Sequence, residues 1–191
     1  MKQLNEWINK PASFELTERG ITIHAEPDSD YFNDPVSGKI RSNGHILAVE
    51  AASDFTFQCK IKPEFAETYD AGAVFFYIDD SHWIKQAFEK TDLGTTSAVS
   101  VVTDEVSDDA NGETIDADSI YMKMVRKKDI FGLYYSTDAE KWRMMRLFKF
   151  ITIKSGFIGV EAQSPMGQGC TISFSEIELS EKTPQNMRTA E

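Results

Sequence analysis

Residues 69–102 carry three extended stretches, YDAGAVFFYIDD, SHWIKQAFEK and SAVSVV, rich in aromatic and branched side chains and broken by short polar turns. Runs of this kind read as neighbouring antiparallel strands. Alternate residues of a strand leave the same face, so Trp83, Lys85, Ala87 and Glu89 share one side while Ile84, Gln86 and Phe88 share the other. A mixed aromatic and charged row then lies behind an apolar one, as in a sheet that packs on a core with one face and offers the other to a ligand.

The pattern recurs along the chain. Strands are expected over 14–16, 20–24, 45–50, 55–62, 72–79, 83–89, 97–103, 119–127, 130–136, 142–149, 156–163 and 170–179. Turn signals part them at Asn43-Gly44, Pro63, Asp79-Asp80, Asn111-Gly112, Lys128-Asp129, Ser136-Thr137-Asp138 and Ser164-Pro165. No helical period falls between them, which argues for an all-β antiparallel sandwich and against βαβ units. Phe55, Phe57, Cys59 and Ile61 alternate with Thr56, Gln58, Lys60 and Lys62, the mark of an outer sheet with one wet face. Strand 72–79 is apolar on both parities and is expected to be central, with core on one side and a concave groove on the other.

A length of 191 residues suits one compact domain. With 31 acids against 20 bases the net charge is −11, which repels phosphates and anionic lipid heads, so neither nucleic acid nor membrane is an expected partner. No stretch approaches the ~20 apolar residues of a bilayer span, and MKQLNEWINK lacks the apolar run of a signal peptide. The expectation is a cytoplasmic protein. Cys59 and Cys170 read as small buried hydrophobes. His24, His45 and His82 have no spacing that gathers imidazoles on a metal, so no metal and no cofactor is expected.

Charge is unevenly spread. Residues 104–118, DEVSDDANGETIDAD, hold seven acids and no base. They read as a solvated loop that either covers the groove or leaves it open; a calcium loop is the sharper alternative, although the EF-hand ligand pattern is absent. Residues 123–154 hold nine Lys or Arg against three acids, either a solvated outer sheet face or a basic rim that attracts an acidic sugar or protein.

Several segments appear in a familiar order: Asp30-Tyr31-Phe32, Asn43-Gly44-His45, Asp54-Phe55-Thr56, Tyr69-Asp70-Ala71-Gly72, Trp83-Ile84-Lys85, Val101-Val102-Thr103, Tyr135-Ser136-Thr137-Asp138, Trp142 with Met145-Arg146-Leu147, and Gly159 through Ser164-Pro165. In order and spacing the chain resembles the DUF1349 family over roughly residues 5–180. Ala139 departs from the turn glycine usual after Asp138, and Tyr121 from a frequent Trp. The resemblance implies a two-sheet jelly-roll β-sandwich of the concanavalin A-like lectin/glucanase type. It also implies a link to proteins labelled as regulators of enolase, and it brings no catalytic residues. One domain is expected over residues 1–182, with 183–191 as a flexible tail.

The chemistry is therefore read from the residues. Apolar sugar faces stack on aromatic rings, and hydroxyls pair with amides, carboxylates and guanidinium groups, which makes Trp83 the candidate platform. Lys85, Glu89, Ser100, Arg146, Glu161 and Gln163 are the candidate polar lining, with His45 and His82 at the rim. Tyr69-Asp70-Ala71-Gly72 suggests a carboxylate that anchors backbone at a strand end. Glu176, Glu178 and Glu181 have the spacing of a glucanase carboxylate row but sit at the end of the folded region, where a solvated row accounts for them. The expected function is a non-catalytic module that holds a saccharide or glycoside. The alternative is a protein-interaction module acting on a metabolic enzyme, and a glycosidase stands third.

Overall fold

The computed structural model describes residues 4–150 and 155–190. Lys154 of the basic segment, residues 1–3 of the expected domain and residue 191 of the expected tail lie outside the described residues. Along the chain the strands are β1 (Glu6–Ile8), β2 (Ser13–Thr17), β3 (Gly20–Ala25), β4 (Tyr31–Asn33), β5 (Ile40–Ser42), β6 (His45–Ala51), β7 (Phe55–Glu64) and β8 (Ala71–Asp79). They continue as β9 (His82–Lys90), β10 (Thr96–Asp104), β11 (Val106–Thr114), β12 (Ile120–Lys127), β13 (Ile130–Ser136), β14 (Arg143–Lys149), β15 (Gly156–Gln163) and β16 (Cys170–Ser180). Among the described residues there is no helix.

Two antiparallel seven-stranded sheets form the sandwich, one in the order β1-β6-β15-β8-β9-β10-β11 and the other β14-β13-β12-β7-β16-β3-β2. β4 and β5 make a separate hairpin. This is the antiparallel jelly-roll sandwich expected from the sequence, with β8 at the middle of the first sheet and β7 at the middle of the second. Between the sheets lies one apolar layer: Val74, Phe76, Ile84, Phe88, Ile158 and Val160 meet Phe57, Ile61, Met124, Leu133, Ile172 and Phe174. Phe76 touches Phe55 and Phe131 of the opposite sheet at ring separations of 5.8 and 5.1 Å. Each such fully buried side chain contributes about 1.5–3 kcal/mol.

The strands expected from alternation are present with ends displaced by a residue or two. Four others were not anticipated: β1, β4 and β5, three residues each, and β11. Residues 106–114 were expected as loop, yet they pair with β10 from Asp104↔Val106 to Ser97↔Thr114. An edge strand has a neighbour on one side only, and here nearly every side chain is wet, so no apolar alternation survives to reveal it. Its acids discourage a further chain from adding to the sheet.

β11 also explains the uneven charge. It lies on the same flank as β14, where Arg146 pairs with Asp108 at 2.7 Å and Arg143 with Glu113 at 2.5 Å. The acidic and basic segments face each other across the rim of the sandwich. On the outer face of the second sheet, residues of the expected tail lie against β12 and β13: Tyr134 donates its hydroxyl to the Met187 carbonyl and Lys127 donates to the Pro184 carbonyl at 3.3 Å.

Ala139, flagged as standing in place of a turn glycine, has φ of 63° and is exposed. A left-handed conformation costs a residue with a Cβ about 1–2 kcal/mol, partly offset by the larger unfolded-state entropy of glycine. Ala139→Gly is expected to raise folding stability by about 0.5–1 kcal/mol, read from urea unfolding midpoints; an unchanged or lowered midpoint contradicts the strain.

Candidate functional site

Strand pairing assigns the face of the first sheet that points away from the core. Across it run three rows: Gln163, Ala71, Glu89 and Ser97; Glu161, Ala73, Ala87 and Val99; and Gly159, Phe75, Lys85, Val101 and Asp109. Trp83 stands one step further along β9, opposite Tyr77 and Thr103. Parity thus places Trp83, Lys85 and Glu89 on one face, together with Glu161 and Gln163.

The indole, however, is closed off. Trp83 is 0% exposed, stacked on Phe75 at 5.3 Å and met edge-on by Tyr31 at 5.8 Å. Tyr31 comes from β4, so the β4–β5 hairpin roofs this half of the face. Asn33 anchors the roof, its backbone N–H donating to the Ser107 hydroxyl and its amide to the Asp80 and Glu105 carbonyls. Asn9 donates to the Tyr31 hydroxyl at 3.0 Å. Trp83 is therefore a support under the hairpin rather than an open platform, and its indole N–H has no acceptor among the described residues.

Lys85 is the keystone of what remains. It is 3% exposed, and its ammonium donates to the Tyr31 carbonyl at 2.8 Å, to Gln163 Oε1 at 2.8 Å and to Asp30 Oδ1 at 3.4 Å. Burial opposes its charge, but Asp30, Glu161, Glu89 and Asp109 outweigh that and hold its titration above the ordinary lysine value. Gln163 passes the network on, donating from Nε2 to the Tyr69 carbonyl at 3.0 Å.

Around this ammonium lie further carboxyls. Glu161 is 0% exposed and neither oxygen has a hydrogen bond among the described residues. Gly44 lies close beside it, since a Cβ there would come within 2.3 Å of Oε1. Glu89 is 7% exposed, and its carboxyl oxygens, unlike those of Glu161, are not among the buried atoms left without a partner. Burial pushes both carboxyls up to about 8, Lys85 pulling the other way and Asp30 adding to the rise in each. Asp109, on the exposed edge strand, is raised for the same reason. Two strands across and two residues along separate the α-carbons of Glu89 and Glu161 by about 12 Å, over a floor of Ala71, Ala73 and Ala87.

At the edge of this cluster stands Tyr69, which the sequence reading did not propose as a ligand residue. It is 37% exposed and has φ of 67°, a conformation unusual for a bulky residue. Hydrogen bonds on both sides hold it there: its N–H donates to the Lys90 carbonyl at 2.7 Å and its carbonyl accepts from Gln163. Burial, then Asp92, Glu89 and Asp109, raises the titration of its phenol. Strain of this kind concentrates at functional sites. The sequence signal was available in the Tyr-Asp before the small pair Ala71-Gly72. Asp70 itself is the anchoring carboxylate expected there, accepting from the Ala66 and Glu67 N–H groups and the Ser164 hydroxyl.

Four candidates lie elsewhere. Ser100 pairs with Gln86, whose side chain reaches the Tyr134 carbonyl of the opposite sheet, so Ser100 faces the interlayer. Arg146 belongs to the flank, held by Asp108. His45 is buried, with Nδ1 donating to the Asn9 carbonyl and Nε2 accepting the Glu26 N–H. His82 is held between Asp79 and Asp104 at the hairpin end of β9, opposite the Glu89 end. The row of late glutamates is solvated: Glu176 accepts from Tyr121 and Glu178 from Gln58 on the outer face of the second sheet. On the flank away from β11, a groove of about 480 Å³ is lined by Leu4, Leu16, Leu47, Phe57, Ile177 and Leu179 together with Glu18, Arg19, Glu176 and Glu178.

The sequence model of the DUF1349 family, described as a protein of unknown function, matches residues 7–182. The chain belongs to this family. It is similar to a Saccharomyces cerevisiae protein named Regulation of enolase protein 1, 29% identical over 174 residues, 91% of this chain and 87% of that one. A crystal structure of a functionally unknown Saccharomyces cerevisiae protein superposes with TM-score 0.89 at 28% identity, covering 95% of this chain and 98% of that one. The carbohydrate binding module CBM66 from Bacillus subtilis superposes with TM-score 0.60 at 16% identity over 94% and 98% of the two chains. A GH43 protein, BlXynB from Bacillus licheniformis, does so at 0.71 and 13%, this chain spanning 36% of it. At these last two identities the likeness is one of fold. No helix among the described residues is long and apolar enough to cross a membrane.

Trp83→Ala is expected to destabilise the DUF1349 protein by about 3–5 kcal/mol, measured by denaturant unfolding, because it undercuts Tyr31 and Phe75. A loss below about 1 kcal/mol contradicts the support role. The raised carboxyls make a second prediction. Between the ordinary glutamate value of 4.5 and about 8, the folded state keeps protons that the unfolded chain has lost. Stability therefore falls as pH rises through that window. Glu161→Gln should flatten the fall between pH 5 and pH 8; parallel curves for the variant and the parent protein would refute it.

Proposed function

We propose that this DUF1349 protein is a non-catalytic binding module that holds a saccharide or glycoside at the Lys85–Glu89–Glu161 cluster. The buried, unpartnered carboxyl of Glu161 carries the reading. Burying a polar group without a partner costs about 1–3 kcal/mol, and a ligand that hydrogen-bonds to it recovers that cost. Tyr69, rather than Trp83, is the aromatic surface for stacking, with Asp109 beside it and Gln163 positioning its backbone. Fold likeness to a carbohydrate binding module supports the class of ligand.

Catalysis is the weaker reading. A glycosidase pair needs one carboxyl protonated and its partner ionised, whereas burial pushes Glu89 and Glu161 in the same direction. A regulatory role against a metabolic enzyme is the second reading, supported by similarity to the yeast protein whose name carries that role. Both cysteines are free and buried, which suits a reducing cytoplasm.

Tyr69→Gly separates ligand binding from folding. Removing the side chain relieves backbone strain, so the variant should unfold at the same or a higher temperature. In calorimetric titration against an oligosaccharide panel it should lose at least tenfold in affinity for whichever sugar the parent protein binds. Equal affinity in the variant would remove Tyr69 from the site. If no sugar stabilises the parent protein and it binds enolase instead, the regulatory reading takes its place.

A further inference from the structure

We infer that the ligand held at this site bears a protonated amine, as an amino-substituted saccharide does, and that the amine settles between Glu89 and Glu161. The inference rests on the saccharide reading of the same cluster and narrows it.

Lys85 is the cation of the cluster, and its three protons are already committed to Tyr31, Gln163 and Asp30. Asp30 serves as its ion partner. Gln163 has its oxygen on Lys85 and its amide on Tyr69. The Ser97 hydroxyl, opposite Glu89 on β10, is neutral and serves in either sense. What remains open, once the carboxyls ionise, is acceptor: both oxygens of Glu161, with the Glu89 carboxyl on the same face. A ligand that brings only acceptors, such as a phosphate or uronate, would meet like charge. Neutral hydroxyls answer the hydrogen bonds but not the charge that the carboxyls carry once ionised. An ammonium answers both, because charge-assisted hydrogen bonds to carboxylates are about twice as strong as neutral ones.

A bare metal ion fits poorly. Among the described residues no three His, Cys, Asp or Glu side chains converge to hold one. The two carboxyls instead stand apart along the buried row of Ala71, Ala73 and Ala87. Glu161 supplies the deep contact and Glu89 the outer one. Burial leaves both carboxyls holding protons near neutrality, so a cationic ligand must expel them. The charged and titratable groups facing that exchange are Lys85 on β9, Asp30 and Tyr31 at β4, Asp109 on β11, and Tyr69 and Asp92 in the flanking turns.

Three trisaccharides of one linkage isolate the amine: β-1,4-linked glucose, glucosamine and N-acetylglucosamine. Titration calorimetry of the full chain, in about 0.15 M salt to screen its net charge, should give at least tenfold tighter binding for the glucosamine trimer. Its binding heat should vary with buffer ionisation enthalpy, reporting proton release. Glu161→Gln, checked for cooperative unfolding, should bring the glucosamine and glucose trimers to within threefold, and Glu89→Gln should narrow the gap in the same direction. Glucose trimer binding as tightly as glucosamine trimer overturns the amine while leaving the saccharide site. Spermidine binding with no sugar bound overturns the saccharide while leaving the amine. No binding by any of the four overturns both.

Discussion

A buried ammonium with every proton committed holds this molecule's candidate site together. Lys85 reaches from β9 to the Tyr31 carbonyl and Asp30 of the roof and to Gln163 of β15, so one side chain ties hairpin, central strands and site. The roof in turn shelters Trp83 and Phe75, a second apolar cluster outside the interlayer core. Such an arrangement is stable only while the charge is answered, since removing one partner of a buried pair leaves the other stranded. Asp30 answers it. The additional carboxyls, Glu89 and Glu161, are then in excess, and their excess is the chemical signature of the site.

The sandwich itself was legible because period-2 alternation is written in every strand with one dry face. β7 shows it in Phe55, Phe57, Cys59 and Ile61, all buried, against Thr56, Gln58 and Lys60 between them. The parity of β9 was legible too, placing Trp83, Lys85 and Glu89 on one face. Hidden from the sequence was the roof. β4 and β5 are three residues each, too short to carry a period, and burial of Trp83 depends on their folding back over it. Ser100 was misplaced by one position of register, since its β9 neighbour is Gln86 and the two side chains point into the interlayer. Arg146 and Asp108 meet across the two sheets, a contact between separated segments that no local pattern announces.

The two charge-biased segments illustrate how a compositional oddity finds a structural cause. β11 and β14 are the edges of different sheets on one flank, and their opposite charges meet there in exposed ion pairs that salt weakens. Asp109 belongs to the same strand as Asp108, yet strand parity turns it toward the site. A single edge strand thus closes the flank with one face and borders the proposed ligand face with the other. Tyr69 stands at the aromatic edge of the proposed site, held in a strained backbone conformation by a partner that itself belongs to the Lys85 network.

The central claim is that Glu161 is buried without a partner beside Lys85. The most direct measurement is a ¹³C NMR titration of the glutamate side-chain carboxyls, assigned through the loss of a signal in Glu161→Gln. The account predicts that Glu161 titrates at about 8 in the free protein. A midpoint close to the ordinary 4.5 would mean a solvated or paired carboxylate and would contradict it.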